Sequence, residues 1–336
     1  MITPSQFNVF VSSVNTMIGQ AWTDTVPVAY AKLCQNVPSN SSQEVYGWTG
    51  MLPKMRLWNG PRVVFEPAPQ TYILVNQTFE ATMSIDRFRL DDDQYGIYYR
   101  SLPDMARQAA RQPDYMLRDL LENSGDQTGT RQYGLDGLTA FNTAHPVNLY
   151  NAAQGTYSND FTGGGFTATF PKAGGGTSSV TVGGAFSPTA VMTAIEYMMQ
   201  YKGEDGEALG IVPNTIMVAS LLRGEAEVVL KNSFFAPPAW STLTGQVGAA
   251  ENPLQRFGVE LIVNPFLNQA YTWYLADTTR GFMPFIHQVR QADVMVPRIN
   301  ENDPVVFDSH QFLYGMYDRQ AVGWGPSFTF ARSGPA

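Results

Sequence analysis

The alternation of apolar and polar positions is clearest in residues 72–90, YILVNQTFEATMSIDRFRL. In the middle of this stretch every second side chain is apolar, at Phe79, Ala81, Met83 and Ile85. A period of two predicts a β-strand with one covered face. After Arg87 the apolar residues Phe88 and Leu90 have the other parity, and we expect a bulge or bend there. With residues 62–66 before it, the pattern predicts a long two-stranded excursion. It needs a second surface to lie on, because an isolated hairpin is marginally stable in water.

Residues 96–125 carry the longest helical pattern. Their apolar residues recur at spacings of three and four, at Ala106, Ala109, Ala110, Met116, Leu117, Leu120 and Leu121. Ser101 and Asp104 have the spacing of a helix-capping box, and Gly125 can end the helix. Pro113 either kinks one helix or opens a second helix in its first turn. We favour the first interpretation, which gives one bent helix about 30 Å long.

Another helix is predicted to begin at Ser187, a capping residue, with Pro188 at the first helical position. Its apolar stripe consists of Val191, Ala194, Ile195, Met198 and Met199. We expect Gly203 to end it. Further patterns predict helices at residues 7–22, 26–34 and 221–230, and strands at 211–218, 259–263, 271–276, 305–307 and 312–317. This mixture predicts an α+β fold.

Residues 151–185 are rich in glycine, serine and threonine, with glycine clusters at 163–165, 174–176 and 183–184. We expect an exposed loop or hairpin that contributes little to a core, and we expect the glycines to provide flexibility. The glycine clusters lack the following lysine and the strand-to-helix setting of a phosphate-binding loop.

Composition narrows the class of protein. Of the 336 residues 44% are hydrophobic and 15% are charged, whereas roughly 25% are charged in typical soluble domains. Much of the surface is therefore neutral or apolar, which suits it to contact with partners. The net charge of −8 argues against tight nucleic-acid binding through neutralised phosphates. Cys34 is the single cysteine, and neither a signal-peptide pattern nor an apolar run of about 18 residues occurs. We expect a soluble protein that folds in a reducing cytoplasm.

The strongest candidate for an active site is GLDGLTAFNTAHPVNL, residues 134–149, which contains Asp136 and His145. A hydrolase could use this pair, but the sequence has no G-x-S-x-G, H-E-x-x-H or C-x-x-C signature. Asp136 and Gly137 form a turn-favouring pair, and Pro146 favours extended backbone at His145. We therefore interpret this stretch as a backbone corner held by its side chains.

Two other patterns have structural explanations. The aspartates at 91–93 with Gly96 resemble a calcium loop, but Tyr95 and Leu102 stand where oxygen ligands are required. We expect these carboxylates to stabilise the following helix, because the helix dipole favours negative charge at its N-terminal end. Met192, Met198 and Met199 are expected in the core rather than at a cofactor. The sequence predicts no catalytic, cofactor-binding or metal-binding residues.

Eight segments, in their order along the chain, resemble the Mu-like phage major head subunit family. They are YGWTGMLPKMRLWNGPR, YILVNQTFEATMSIDRFRLDDDQYGIY, QPDYMLRDLL, YGLDGLTAFNTAHPV, FGVELIVNPFL, TWYLAD, PFIHQVRQ and VVFDSHQFLYGMYDRQAVGWG. The similarity runs from the N-terminus to about Trp324 and leaves out residues 151–185. Each segment is weak alone, but eight in one order with compatible gaps are specific.

The resemblance implies a major capsid protein of a tailed phage with an HK97-like fold, which acts mechanically and not as an enzyme. The implied layout is an N-terminal arm at 1–60, an extended two-stranded loop at 61–92, a peripheral-domain spine helix at 93–135, an axial domain at 136–290 with an insertion at 151–185, and C-terminal strands at 291–336 that return to the peripheral domain. The implied partners are further copies of the chain in hexamers and pentamers, with scaffolding, portal and decoration proteins. The shell would enclose DNA without tight sequence-specific binding, would involve no membrane or cofactor, and would form in the host cytoplasm.

Three alternatives stay open at this point. A nanocompartment shell of the same fold would have a pocket for a cargo peptide. A hydrolase would use Asp136 and His145. A lectin-like or adhesive surface protein is suggested by the glycine, serine, threonine and aromatic content.

Overall fold

The computed structural model describes residues 4–48, 57–60, 62, 70–92, 97–122, 133–148, 151–171, 177–235, 250–300 and 303–335. The helices in these ranges are α1 (Pro4–Asp24), α2 (Tyr30–Leu33), α3 (Arg87–Asp91), α4 (Ile97–Ala110), α5 (Gln112–Glu122), α6 (Pro188–Met199), α7 (Arg223–Lys231), α8 (Pro253–Phe257) and α9 (Pro304–Ser309). The strands are β1 (Cys34–Pro38), β2 (Gln43–Trp48), β3 (Gln70–Val75), β4 (Gln77–Asp86), β5 (His145–Pro146), β6 (Thr156–Tyr157), β7 (Asp160–Phe161), β8 (Phe166–Pro171), β9 (Thr177–Val182), β10 (Thr215–Ala219), β11 (Phe234–Phe235), β12 (Ala250–Glu251), β13 (Glu260–Asn264), β14 (Trp273–Ala276), β15 (Phe285–Arg298), β16 (Gln311–Trp324) and β17 (Phe330–Ser333). The predicted α+β class is confirmed.

Two sheets form the frame of the molecule. The first has the order β1-β15-β16-β4, and the second has the order β13-β10-β14-β17-β7. The chain passes from the first sheet to the second between β16 and β17. Trp324 and Phe330, at the two ends of this connection, stack with ring centroids 5.4 Å apart. This stacking joins the two sheets through one buried aromatic cluster.

The second sheet is covered on both faces, as its central strand shows. All five residues of β10 are buried. Ile216 and Val218 belong to a hydrophobic cluster with α6, whereas Met217 and Ala219 belong to a cluster with α5. Successive side chains of a strand point to opposite faces, so this sheet is packed between α5 and α6.

The predicted strand within residues 72–90 is present as β4. Its expected covered face is confirmed in part, since Ile85 is buried and Met83 is half-buried, although Ala81 is exposed. The bulge expected after Arg87 is wrong, because the chain forms α3 there. Asp86 Oδ1 accepts hydrogen bonds from the N–H groups of Phe88 (2.9 Å) and Arg89 (3.1 Å), which caps this helix.

The strands also pair differently from the predicted two-stranded excursion. β3 pairs with β2, and β4 pairs with β16 over ten positions. Of the segment 62–66, Arg62 alone is among the described residues. Within residues 70–86, β3 therefore forms a two-stranded ribbon with β2, whereas β4 belongs to the first sheet.

The single bent helix predicted for residues 96–125 is wrong. Two helices, α4 and α5, are separated at Arg111, and Pro113 lies in the first turn of α5, where its missing N–H needs no partner. The capping box at Ser101 and Asp104 is also wrong, because α4 begins at Ile97 and both residues lie in its interior. Gly125 lies outside the described residues.

Residues 151–185 contribute more to the core than the composition indicates. The predicted hairpin is present as β8 and β9. Phe161, Ala168 and Val182 are buried in the cluster that includes α6. The expectation that this segment adds little to a core is therefore wrong.

Its glycines are also required for more than flexibility. Gly183 has φ +76°, and a Cβ atom there would lie 2.5 Å from the Cβ of Phe161. Gly165 has φ +104°, and a Cβ atom there would lie 2.6 Å from Cγ2 of Thr181. Both positions need a residue without a side chain.

Among the remaining predictions, the start of α6 is confirmed, since Ser187 Oγ accepts a hydrogen bond from the N–H of Ala190 at 3.1 Å. The predicted end at Gly203 is wrong, because the helix ends at Met199 and Gln200 is its C-cap. The helix predicted at 221–230 and the strands predicted at 211–218, 259–263, 271–276 and 312–317 correspond to α7, β10, β13, β14 and β16. The strand predicted at 305–307 is wrong, because these residues lie in α9, which Pro304 begins and the left-handed His310 ends. Of the helix predicted at 26–34, only the single turn α2 forms.

Candidate functional site

Asp136 and His145 are brought together, as the corner interpretation requires. His145 lies in β5, and its side chain is completely buried. Its Nδ1 contacts Oδ2 of Asp136, and its Nε2 lies 3.0 Å from Oδ1 of Asn159. The imidazole stacks on Tyr157, with ring centroids 5.4 Å apart.

The orientation of Asn159 follows from its other hydrogen bonds. Its Nδ2 donates to the carbonyl oxygens of Ala140 (2.8 Å) and Ser327 (3.0 Å), so its Oδ1 is the atom that faces the imidazole. Both ring nitrogens of His145 therefore face acceptors. The two oxygen atoms, Oδ2 of Asp136 and Oδ1 of Asn159, thus hold the ring from both sides.

This geometry is that of a structural support. Asp136 Oδ1 accepts the N–H of Leu138 (3.2 Å), which closes the turn that the sequence indicates. Through Asn159 the pair connects β5 and β6 to the backbone of Ser327, between β16 and β17. No surface of His145 is open to a substrate. The hydrolase alternative has no accessible imidazole at this pair, because His145 is completely buried and Asp136 is only 11% exposed.

A second ion pair lies beside the corner. Arg332 Nη2 is 2.6 Å from Oδ2 of Asp160, and the guanidinium lies 4.6 Å from the centroid of the Phe141 ring. Burial opposes ionisation of Asp160, but its bonds to Arg332 and Thr162 outweigh burial and lower its pKa. The side chains of Arg332 and Asp160 fix the C-terminal strand β17 against β7.

Asp114 is a third structural carboxylate, which sequence reasoning missed. It is completely buried in α5 and accepts hydrogen bonds from three consecutive backbone N–H groups, those of Val28 (2.8 Å), Ala29 (2.8 Å) and Tyr30 (2.9 Å). An acidic residue in the first turn of a helix was the available signal, but its partners lie more than 80 residues earlier in the chain. Asp114 holds the segment that follows α1 onto α5.

The other patterns singled out in the sequence lie partly outside the described residues. Asp93 and Gly96 of the calcium-like stretch lie outside the described residues. Within the part of the chain that the structure describes, no group of three or more His, Cys, Asp or Glu side chains could hold a metal ion. Met198 lies in the core, Met192 packs against it, and Met199 is 37% exposed.

The β2–β3 ribbon presents an apolar surface to solvent. On one face, Tyr72 and Leu74 pack with Ile286 and Ala321 of the first sheet. On the other face, Val45, Ile73 and Val75 are 57%, 46% and 40% exposed, and Val45 pairs directly with Ile73. Leu57 and Trp58, between the two strands, are also largely exposed.

Among the described residues, no helix has the length and apolar character needed to span a membrane.

Comparison with known proteins identifies one family. The model of the Mu-like prophage major head subunit gpT matches residues 7–170, 179–267 and 258–331. The major capsid protein of Escherichia phage Mu is 32% identical over 158 residues, which are 47% of this chain and 49% of that protein. The Mu-like prophage FluMu major head subunit of Haemophilus influenzae is 28% identical over 135 residues, which are 40% of this chain and 42% of that protein. The matches thus span about half the length of these relatives or less.

Solved structures share the fold. A chain of the procapsid of bacteriophage JBD30 matches with a TM-score of 0.52 and 23% identity, covering 99% of this chain and 76% of that one. A chain from Microbacterium phage Oxtober96 matches with a TM-score of 0.55 and 12% identity, covering 93% and 92% of the two chains.

Proposed function

Because this chain belongs to the Mu-like prophage major head subunit gpT family, we propose that it is the major capsid subunit of a tailed phage. Many copies close into an icosahedral shell that encloses double-stranded DNA. The HK97-like α+β fold, shared with chains of solved phage capsids, supports this function. The protein acts mechanically, and Asp136 and His145 support a corner of the fold.

The two-faced β2–β3 ribbon carries the proposal. Its inner face is buried against its own chain, whereas Val45, Ile73 and Val75 remain exposed on the outer face. Complete burial of such a side chain gains roughly 1.5–3 kcal/mol, so a half-exposed one gains about 1 kcal/mol when a neighbour covers it. Contacts of this size are sufficient in a closed shell, because each subunit binds several neighbours at once and symmetry repeats every contact.

The test is electron microscopy of particles formed by the overexpressed chain with its scaffolding protein. We expect shells from the unchanged chain and from Gln43→Ser, a control on the same ribbon face. We expect the double variant Val45→Ser, Ile73→Ser to stay unassembled while its circular dichroism remains that of the folded chain. Normal shells from the double variant would show that this face is not a subunit contact. Failure of the unchanged chain to form any particle would contradict the proposed function.

The proposed layout follows the family, with two changes suggested by the fold. The regions are the arm at 1–60, the extended loop at 61–92, the peripheral domain from 93–135, the axial domain at 136–290 with its insertion at 151–185, and the returning strands at 291–336. The ribbon, however, joins residues 43–48 to 70–75 across the boundary at residue 60. β4 pairs with β16 and belongs with the first sheet.

The proposed partners are copies of the same chain in hexamers and pentamers, with scaffolding, portal and decoration proteins. The shell forms in the host cytoplasm and becomes part of the virion. The net charge of −8 suits a wall that contains DNA without holding it tightly. Family membership favours a phage head over a nanocompartment shell or an adhesive surface protein.

A further inference from the structure

An irregularity in the longest strand pair brings two carboxyl groups together. β15 and β16 pair with register shifts between Val289 and Gln291 and between Gln291 and Val294. Asp293 therefore has no cross-strand partner. Asp318 lies opposite this gap, because its neighbours Arg319 and Tyr317 are the partners of Gln291 and Val294.

The surroundings of the pair do not neutralise two negative charges. Asp318 is 4% exposed, its Oδ2 accepts a hydrogen bond from Nε2 of Gln320 (2.6 Å), and its buried Oδ1 has no hydrogen-bond partner. Asp293 and Asp318 line two cavities, of about 300 Å³ and about 530 Å³. Among the described residues that line either cavity there is no lysine or arginine.

The titratable groups around the pair come from three other elements and from its own strands. They are Tyr30 of α2, Asp114 and Tyr115 of α5, Glu80 of β4, His287 of β15 and Tyr317 of β16. Gln320 connects one of them to the pair, since its Oε1 lies 2.7 Å from Nε2 of His287. Burial lowers the pKa of His287, so the imidazole is neutral near pH 7. None of these groups supplies a positive charge at that pH.

Two carboxyl groups in such a site cannot both ionise readily. Burial, and after it the neighbouring Asp318, raise the pKa of Asp293 to about 8. Burial also raises the pKa of Asp318. At neutral pH the two groups together retain a proton, as do carboxylate pairs in other proteins.

The smaller cavity lies between this pair and the segment that follows α1. Trp22 near the end of α1, Thr25 of that segment and Tyr30 at the start of α2 line it, opposite Asp293 and Asp318. Ala110 and Pro113, at the junction of α4 and α5, line it as well. The pair and the N-terminal segment therefore face each other across one cavity.

We propose that Asp293 and Asp318 form a pH-sensitive switch that holds the segment between α1 and α2 against the β15–β16 bulge while the two carboxyl groups share a proton. When the proton is lost in alkaline solution, two adjacent negative charges separate the bulge from β16 and draw water into the cavity. The N-terminal segment then loosens. This property belongs to the single chain and does not depend on the proposed shell function.

The first test compares the pH dependence of unfolding. A carboxyl group whose pKa is raised by folding binds its proton in the folded state while the unfolded state has released it. Stability then falls as pH rises from the unfolded-state value near 4, and it levels off above the folded-state value. If the folded chain retains one proton that the unfolded chain has lost, the folding equilibrium constant should fall by up to about tenfold per pH unit between pH 5 and pH 8. Asp318→Asn and Asp293→Asn keep the size of the protonated acid and should each flatten this slope.

The control is Asp308→Asn, which removes an exposed carboxyl group on α9 and should leave the slope unchanged. Two independent variants at the pair guard against one of them failing to fold. Equal slopes for the unchanged chain and for both pair variants would overturn the proposal.

The second test locates the motion. Hydrogen exchange, corrected for intrinsic rates, should increase in residues 22–30 of the full chain between pH 6.5 and pH 9, and it should not increase in Asp318→Asn. Samples are kept in one assembly state throughout. Uniform exchange across this pH range in the unchanged chain would overturn the proposal. Restoration of protection at pH 9 by Mg²⁺ or Ca²⁺ would also overturn it, because the pair would then be a cation site.

Discussion

Asp114 accepts hydrogen bonds from three consecutive backbone N–H groups of a segment that has little regular structure of its own. The segment cannot satisfy these groups internally, because α2 is a single turn. A buried carboxylate that accepts several N–H groups strongly stabilises the fold. Removing either the carboxylate or its donors leaves the other groups buried and unsatisfied. Asp114 therefore takes the place of secondary structure in fixing the N-terminal segment.

We expect Asp114→Asn to lower the free energy of unfolding by about 3 kcal/mol, since hydrogen bonds to charged groups contribute roughly 1.5–3 kcal/mol each. The amide nitrogen of Asn would also face a backbone N–H that needs an acceptor. Urea unfolding measures the change. Asp119→Asn, on the same helix but 48% exposed, is the control and should cost less than about 0.5 kcal/mol. A cost no larger than that of the control would show that Asp114 is replaceable.

The Asp136–His145 corner shows what can be predicted at the residue scale. Asp136, Gly137 and Pro146 are local turn signals, and they led to the corner interpretation that the geometry supports. Asn159, which fixes the imidazole, lies in the glycine-rich segment, where composition indicated a loop. A hydrogen bond between residues 14 positions apart has no sequence pattern, so this part of the site could not be predicted.

At the element scale, strong local signals were sufficient to locate individual helices and strands. They did not identify which strands pair over long distances in the sequence. The cap at Ser187 and the alternation in β4 correctly located α6 and a strand. The pairing of β4 with β16 could not be predicted, because a period of two identifies a covered face and not the partner strand. The α4–α5 break was misjudged because Pro113 is compatible with a kink or a new helix, and the choice depends on the packing around Arg111.

The hairpin β8–β9 gives a sharp test of glycine at the element scale. Gly163 and Gly183 have nearly the same backbone angle, φ +77° and +76°. No atom lies within 4 Å of a Cβ at Gly163, whereas a Cβ at Gly183 would lie 2.5 Å from Phe161. Gly163→Ala should cost about 1–2 kcal/mol through backbone strain alone, and Gly183→Ala should cost about 1–3 kcal/mol more through overpacking.

Thermal or urea unfolding of both variants separates the two effects. Equal costs would mean that Phe161 moves without penalty and that the segment is loosely attached to the core. The same packing predicts the effect of shortening this segment. Ala168 of β8 is buried in the hydrophobic cluster that includes α6, so removing residues 163–176 should destabilise this cluster and should not be neutral for assembly.

At the scale of the whole molecule, exposed apolar surface and net charge act in opposite directions on association. The ribbon gains free energy when it is covered, whereas the charge of −8 on each copy repels neighbouring copies. At 0.1 M salt this repulsion falls off over a screening length of about 10 Å.

Moderate salt should therefore promote assembly of the purified chain. Raising NaCl from about 0.01 M to 0.15 M shortens the screening length from about 30 Å to about 8 Å, which weakens the repulsion while apolar contacts across the ribbon persist. Light scattering at constant protein concentration, with electron micrographs of the same samples, measures the effect.

The ribbon variant Val45→Ser, Ile73→Ser provides the comparison, because it keeps the charge and loses the apolar contact. If salt promotes assembly of the unchanged chain but not of this variant, the ribbon supplies the attraction between copies and the net charge opposes it. If salt instead dissolves the shells, ion pairs between copies hold them together, and net repulsion is not the main opposing force.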